Sequence, residues 1–259
     1  MAEPDFQTIR VEHQNGACSI ILNKPPLNII DLAMIHEIRT ALEHAQADPA
    51  VRAIVFRGAG EKGFSAGVSV QDHTPDRVAY LIPAFDDIFR LLARTDKITV
   101  ASVQGFCLGG GLEIAIMCDL ILASEKAQFG QPEIKLGQLA PIGLILLPHL
   151  VGYRKAIELL ITGASVGAHE AQSLGLINRV VPPDQLPHAL DLLLNEITTQ
   201  SGAILSLTKQ ALRRTSTLDF EKALQEMESF FFDSVMKTSD AKEGIFAFIE
   251  KRAPQWIHA

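Results

Sequence analysis

The 259-residue chain is poor in cysteine and has no metal-ligand pattern, no basic tract and no long apolar run. Its three cysteines, Cys18, Cys107 and Cys118, are odd in number and lack CxxC spacing, and two lie in strongly apolar segments where a thiol packs as a small hydrophobe. That usage argues against a disulfide framework and fits a reducing cytoplasm. Eight histidines form no HExxH or HxxxH pair, and no acidic cluster has EF-hand spacing, so no metal is expected. Lys and Arg number 23 against 30 Asp and Glu, a formal charge of −7, which disfavours nucleic acid as a partner. No segment approaches the ~20 apolar residues that span a bilayer, and the N-terminal residues lack a basic stretch leading into an apolar one. Neither export nor membrane anchoring is expected.

With 47% hydrophobic residues, the chain has ample material for a core. Residues 8–12 and 17–22 read as strands joined at Asn15-Gly16, a hairpin signal. Asp31 is a plausible N-cap for a helix carrying Leu32, Ile35, Ile38 and Leu42, which Asp48-Pro49 ends. A buried strand follows at 53–56, then a Gly-rich ordered loop at 58–75 and a helix at 76–94. Residues 98–103 form a β-branched strand, a helix opens at Gly109 and runs to Cys118, and 120–123 is again a strand. Beyond Pro148 the pattern turns helical, broken by Arg179-Val180-Val181, and from Ser201 it shows no strand signal. These patterns predict an α/β core over 1–198 and a helical C-terminal region over 199–259, with no internal sequence repeat.

Gly63-Phe64-Ser65-Ala66-Gly67 matches the GxSxG nucleophile elbow literally, yet neither a strand running into Ser65 nor a helix running out of it is evident. A Gly-rich turn, or a loop whose backbone N–H groups face a ligand, fits better. Gly109-Gly110-Gly111 opens an otherwise strong helix although each glycine costs about 1 kcal/mol relative to Ala there. The penalty points to a backbone put to use: a helix N-terminus offers unpaired N–H donors and a positive dipole end, suited to a developing oxyanion. The run fits neither GxGxxG nor a Walker motif. Glu113 lies one turn inside this helix, and Glu133 follows Phe129-Gly130-Gln131-Pro132. Taken singly, Glu113 reads as a paired buried carboxylate and Glu133 as a surface residue. Together with the glycines and the donor loop they read as an acid–base site.

On these residues the chain resembles the enoyl-CoA hydratase/isomerase, or crotonase, superfamily. The matching segments are Leu22-Asn23-Lys24-Pro25 with Asn28, Phe64-Ser65-Ala66-Gly67-Val68, Gln104-Gly105 through Leu112-Glu113 with Cys118-Asp119, and Phe129-Gly130-Gln131-Pro132-Glu133. The resemblance implies a spiral of ββα units followed by a helical trimerisation region, assembled as a homotrimer or as a hexamer built from two trimers. It implies an acyl-CoA substrate and no cofactor, coenzyme A being part of the substrate. The thioester oxygen would be held by the backbone N–H groups of Val68 and Gly110, with Glu113 and Glu133 catalytic. Coenzyme A would be bound through Lys24, Ser65, Ala66, Phe248 and Lys251.

Two glutamates match the family's hydratases, which hold one water between them, whereas isomerases commonly keep one acidic residue. An enoyl-CoA double-bond isomerase is thus the nearest alternative, and a non-catalytic acyl-CoA- or RNA-binding homologue an alternative of another class. Ser69 stands where the family often has Asp, and Leu139-Ala140-Pro141-Ile142-Gly143-Leu144 replaces a Gly-rich stretch. That segment is expected to line the acyl pocket, and together with Asn28-Ile29-Ile30-Asp31 and Asp72-His73-Thr74-Pro75-Asp76 it resembles the alicyclic dienoyl-CoA hydratases, such as the cyclohexa-1,5-dienecarbonyl-CoA hydratases.

Overall fold

A computed structural model describes residues 5–259. Strands β1 (Ile9–Gln14) and β2 (Ala17–Leu22) pair antiparallel around Asn15 and Gly16, which take the left-handed φ of 50° and 80° that a two-residue hairpin turn requires. Helix α1 (Leu32–Ala47) starts where Asp31 accepts a hydrogen bond from the Met34 N–H, and its stripe Met34, Ile35, Ile38 and Leu42 is buried.

Three turns of a spiral follow, each a strand, a very short strand and a helix. They are β3 (Ala53–Gly58), β4 (Gly63–Ser65) and α2 (Val78–Arg94); then β5 (Ile98–Val103), β6 (Phe106–Leu108) and α3 (Gly110–Met117); then β7 (Leu120–Ser124), β8 (Gln128–Gly130) and α4 (Pro141–Leu150). The longer strands, joined at one edge by β10 (Arg179–Val181), build one sheet in the order β1, β2, β3, β5, β7, β10, and the short ones, with β9 (Ser165–Gly167), build a second in the order β4, β6, β8, β9. Helix α5 (Tyr153–Thr162), strand β9 (Ser165–Gly167), helix α6 (Ala168–Ser173) and strand β10 (Arg179–Val181) close the two sheets. The ββα unit therefore recurs in space without any repeat in the sequence, because each turn needs only the same burial pattern and not the same residues.

The inner strands β2, β3, β5 and β7 are largely buried on both faces. In β3, Ile54 and Phe56 face the main core beneath α1 to α3, while Ala53 and Val55 face α7 (Leu186–Thr198) through Leu186, Leu190 and Leu193. The side chains alternate, but both sets are apolar, so the strand reads as one continuous run.

The structure corrects three expectations. Residues 58–75 are not all loop: they hold β4 and the 3₁₀ helix Val70–His73. Strands β6 and β8 go unannounced in the sequence, each three residues long and paired only with segments distant along the chain. The helical stretch expected beyond Pro148 begins earlier, at Pro141, which sits in the first turn of α4 where a missing N–H matters little.

After α7 the chain is helical, with α8 (Gly202–Thr215), α9 (Phe220–Asp233) and α10 (Ser239–Glu250). Lys209 of α8 is buried and ties this region to the core: its Nζ donates to Lys97 O at 2.9 Å and to Asp119 Oδ2 at 2.6 Å. Asp119 also accepts from the Thr99 N–H and hydroxyl, both at 2.8 Å. Lys209→Met should lower unfolding free energy by about 2–3 kcal/mol, since it strands a partly buried carboxylate. Urea titration checks this; an unchanged midpoint would show that the pair contributes nothing.

Candidate active site

The Gly-rich loop and the start of α3 are forced together by the absence of side chains. Gly67 takes a φ of 106°, and a Cβ on Gly110 would lie 2.5 Å from Val68 Cγ2 and 2.9 Å from Phe85 Cζ, so the two segments meet at Val68 and Gly110. A Cβ on Gly111 would lie 2.7 Å from Ser65 Cβ. Among the described residues no hydrogen bond takes the N–H of Val68 or that of Gly110, the first residue of α3. Two backbone donors are thus left without a partner there, in residues that line one cavity.

Asn28 pins this loop from beneath. It is fully buried, and its Nδ2 lies within hydrogen-bonding distance of Ala59 O (2.9 Å), Gly63 O (3.0 Å) and Phe64 O (3.1 Å). Ser65, also fully buried, donates from Oγ to Asn28 O at 2.8 Å and accepts from the Gly67 N–H at 3.1 Å. The serine of the GxSxG match, expected among the coenzyme A contacts, is a fully buried brace within the loop in this chain. Ser65→Ala should cost about 1–3 kcal/mol by leaving the buried Gly67 N–H unpaired, while turnover survives. Chemical denaturation alongside kcat measurement tests both halves; loss of turnover in a folded variant would overturn this assignment.

Glu113 and Glu133 line one cavity of about 690 Å³, shared with Val68, Gly110 and the α2 face carrying Leu81, Ile82, Phe85 and Phe89. A second hollow of equal volume beside the Asn15–Gly16 turn has Asp48 as its single lining carboxylate. Glu113 is 3% exposed. Its Oε1 accepts from the N–H groups of Ile142 (2.9 Å) and Gly143 (3.1 Å) in the first turn of α4, which fixes the carboxyl and leaves Oε2 toward other partners. Glu133 sits in the 3₁₀ helix Pro132–Leu136. With the buried Gln131 amide turned so that its nitrogen donates, that nitrogen is 3.1 Å from both carboxylate oxygens of Glu133 and 3.3 Å from Gly109 O.

Both carboxyls are pushed upward. Burial raises Glu113 to about 7, with the charges of Glu133 and Asp86 adding to it against the bonds from Gly143 and Ile142. Burial also raises Glu133, opposed by a hydrogen bond from its own backbone and by the charge of His73. With both carboxyls raised in one partly apolar cavity, a state with one protonated and the other ionised is favoured over two charges side by side, the condition for one to act as base and the other as acid.

The other expected site residues divide. Ala66, His73 and Thr74 line the cavity, as do Leu139, Pro141 and Ile142 of the segment that replaces the Gly-rich stretch. Leu144 does not, and Asn28 and Ile30, both fully buried, brace the loop rather than line the cavity. Lys24 pairs with Asp31 at the surface. Phe248, 86% exposed, and Lys251, the left-handed cap of α10, are not among the residues lining the cavity of this chain. The cavity wall of α2 is absent from the sequence reading: Phe85 and Phe89, packed edge to face at 4.8 Å, carry the spacing of ordinary core residues. Among the described residues no group of three or more His, Cys, Asp or Glu is placed to hold a metal ion, and no helix is long and apolar enough to cross a membrane.

Comparison with known proteins bears on this architecture directly. The family described as enoyl-CoA hydratase/isomerase matches residues 12–259. A probable enoyl-CoA hydratase of Mycobacterium bovis is 37% identical over 98% of this chain and 99% of its own length. The cyclohexa-1,5-dienecarbonyl-CoA hydratase of Thauera aromatica is 36% identical, with 95% of each chain covered. The crystal structure of an enoyl-CoA hydratase from Bacillus anthracis superposes with a TM-score of 0.92 at 28% identity, covering 98% of this chain and 100% of that one. In its ββα spiral, its extent and its sequence, the chain belongs to the enoyl-CoA hydratase/isomerase family, with the crotonase fold.

Proposed function

We propose that the protein is an enoyl-CoA hydratase, a hydro-lyase that adds water across the α,β double bond of a CoA thioester. The observation that carries this reading is the convergence of two carboxyls and two unused backbone N–H groups on one cavity. Glu113, as carboxylate, takes a proton from a water whose oxygen bonds to the β-carbon. The double bond's electrons move to the thioester oxygen, where the N–H groups of Val68 and Gly110 meet the enolate charge, each contributing about 3–4 kcal/mol. The enolate collapses as Glu133 delivers its proton to the α-carbon. The pair then exchanges its proton through solvent and returns to its starting state.

For the acyl group we propose an alicyclic dienoyl ring. Support comes from the likeness to the Thauera aromatica protein and from the bulk of Leu139, Pro141 and Ile142 against the α2 wall. Lys24 and the Ala66 backbone are proposed for coenzyme A, with Phe248 and Lys251 serving from the C-terminal region of an assembled homotrimer or hexamer. The exposed Phe231, Phe232, Phe246 and Ile249 on α9 and α10 support such an assembly.

Crotonyl-CoA and cyclohexa-1,5-dienecarbonyl-CoA, incubated in ¹⁸O-labelled water, test the reading through loss of conjugated-thioester absorbance and label incorporation. Faster turnover of the cyclic ester supports the ring assignment. Isomerisation of a 3-enoyl-CoA with no label entering either ester would overturn hydration in favour of double-bond migration.

A further inference from the structure

The apolar wall of the cavity carries one carboxyl that has no part in the acid–base scheme. Ile82, Phe85, Asp86 and Phe89 recur at helical spacing on α2, and all four line the cavity. Three of them are the hydrocarbon an acyl pocket calls for, and Asp86 breaks the pattern. Its neighbour fixes where it does so. Phe85 Cζ would lie 2.9 Å from a Cβ on Gly110, so this turn of α2 packs against the start of α3, beside a proposed oxyanion donor.

Asp86 is not held by a partner that would account for it. Arg90 Nη2 lies 3.7 Å from its Oδ2, beyond hydrogen-bonding distance, while Arg90 Nη1 donates to Asp87 Oδ1 at 2.8 Å. Both side chains of the Asp86–Arg90 pair reach solvent, where such a pair contributes little. Among the described residues no side-chain hydrogen bond reaches the Asp86 carboxyl. A leucine at this position would complete the apolar face without placing a charge beside it.

Nor does the cavity wall hold a compensating cation. Its other titratable lining residues are Glu113, Glu133 and His73, and neither Lys nor Arg is among the lining residues. The charge of Asp86 adds to the upward push on Glu113, the behaviour of two groups that face one volume. An acyl chain bearing an anionic group of its own would meet three carboxyls there, and like charges brought together with little water between them repel.

We propose that Asp86 is a specificity-determining residue, through which this cavity accepts uncharged acyl groups and rejects acyl groups that carry a carboxylate. The substrate class is thus a hydrocarbon enoyl thioester and not the monothioester of a dicarboxylic acid. The proposal rests on the acyl-CoA reading of the site but is independent of the direction of turnover.

Saturated esters, which cannot be hydrated, separate binding from chemistry. Titration calorimetry on the full chain would compare glutaryl-CoA with its terminal amide, a pair close in size that differs in charge. The parent should bind the amide about 30-fold more tightly, and Asp86→Asn, which keeps the shape and removes the charge, should shrink that ratio by about tenfold. Asp86→Lys should carry the ratio further in the same direction. A merely structural role for Asp86 would weaken both esters alike and leave the ratio at its parental value, which would overturn the proposal. Equal affinity of the parent for acid and amide would overturn it too, with the acyl-CoA reading left standing. If the parent binds neither ester, that reading fails and the proposal falls with it.

Discussion

Glu113→Gln is expected to remove hydratase turnover and to stabilise the folded protein at alkaline pH. As the proposed base for water's proton, Glu113 should be worth about 10²–10⁴-fold in kcat, and Glu133→Gln should lose a comparable factor. The double variant should be little worse than either single one, because acid and base act as a unit.

The stability effect follows from the same burial. Glu113 rises from its ordinary range to about 7 on folding. Between roughly pH 4.5 and 7 the folded chain therefore holds a proton that the unfolded chain has released, and stability falls as pH rises through that window. The penalty is complete above it, on the order of 3 kcal/mol. A glutamine can keep accepting from the Ile142 and Gly143 N–H groups through its oxygen and carries no charge to bury. Thermal unfolding should thus place Glu113→Gln above the parent at pH 8, with the gap closing towards pH 5. Parallel curves at both pH values would show that the site does not store this charge.

Gly110→Ala should be nearly as damaging for a different reason. The new methyl meets Val68 Cγ2 at 2.5 Å and Phe85 Cζ at 2.9 Å, so the gap between loop and helix must widen. Both proposed oxyanion donors then move off their common target, with an expected loss of about 10²–10³-fold in kcat and about 1–3 kcal/mol of stability from overpacking. Gly152 is the control. Its φ of 76° also disfavours a side chain, but nothing lies within 4 Å of a Cβ there. Gly152→Ala should cost about 1–2 kcal/mol and leave kcat alone. If Gly110→Ala retains parental kcat while remaining folded, the N–H groups of Val68 and Gly110 do not hold the thioester oxygen.

Much of this molecule is legible before folding because local rules govern it. Asn15-Gly16 encodes its hairpin turn, Asp31 its helix start, and residues 98–103 their strand, each through interactions that reach only a few positions along the chain. The two glutamates stand out for the same reason, set in runs whose glycines make no sense as helix filler. Strands β4, β6 and β8 escape notice because three residues carry no period, and their stability comes from partners tens of residues away. Phe85 and Phe89 escape because a cavity wall and a core face obey the same helical spacing. Ser65 misleads in the opposite direction: its motif is local, but its role depends on the carbonyl of Asn28.

The family, the succession of most elements and the two carboxyls can be read from the chain, since these rest on residue types and short-range order. That the carboxyls share a cavity, that Val68 meets Gly110, and that His73 lines the cavity while Ser65 and Asn28 are sealed beneath it appears only in three dimensions. Those facts depend on close packing between segments far apart in the chain. It is burial at that meeting point that lifts Glu113 from the ordinary carboxylate range to about 7, the protonation behaviour the proposed base requires.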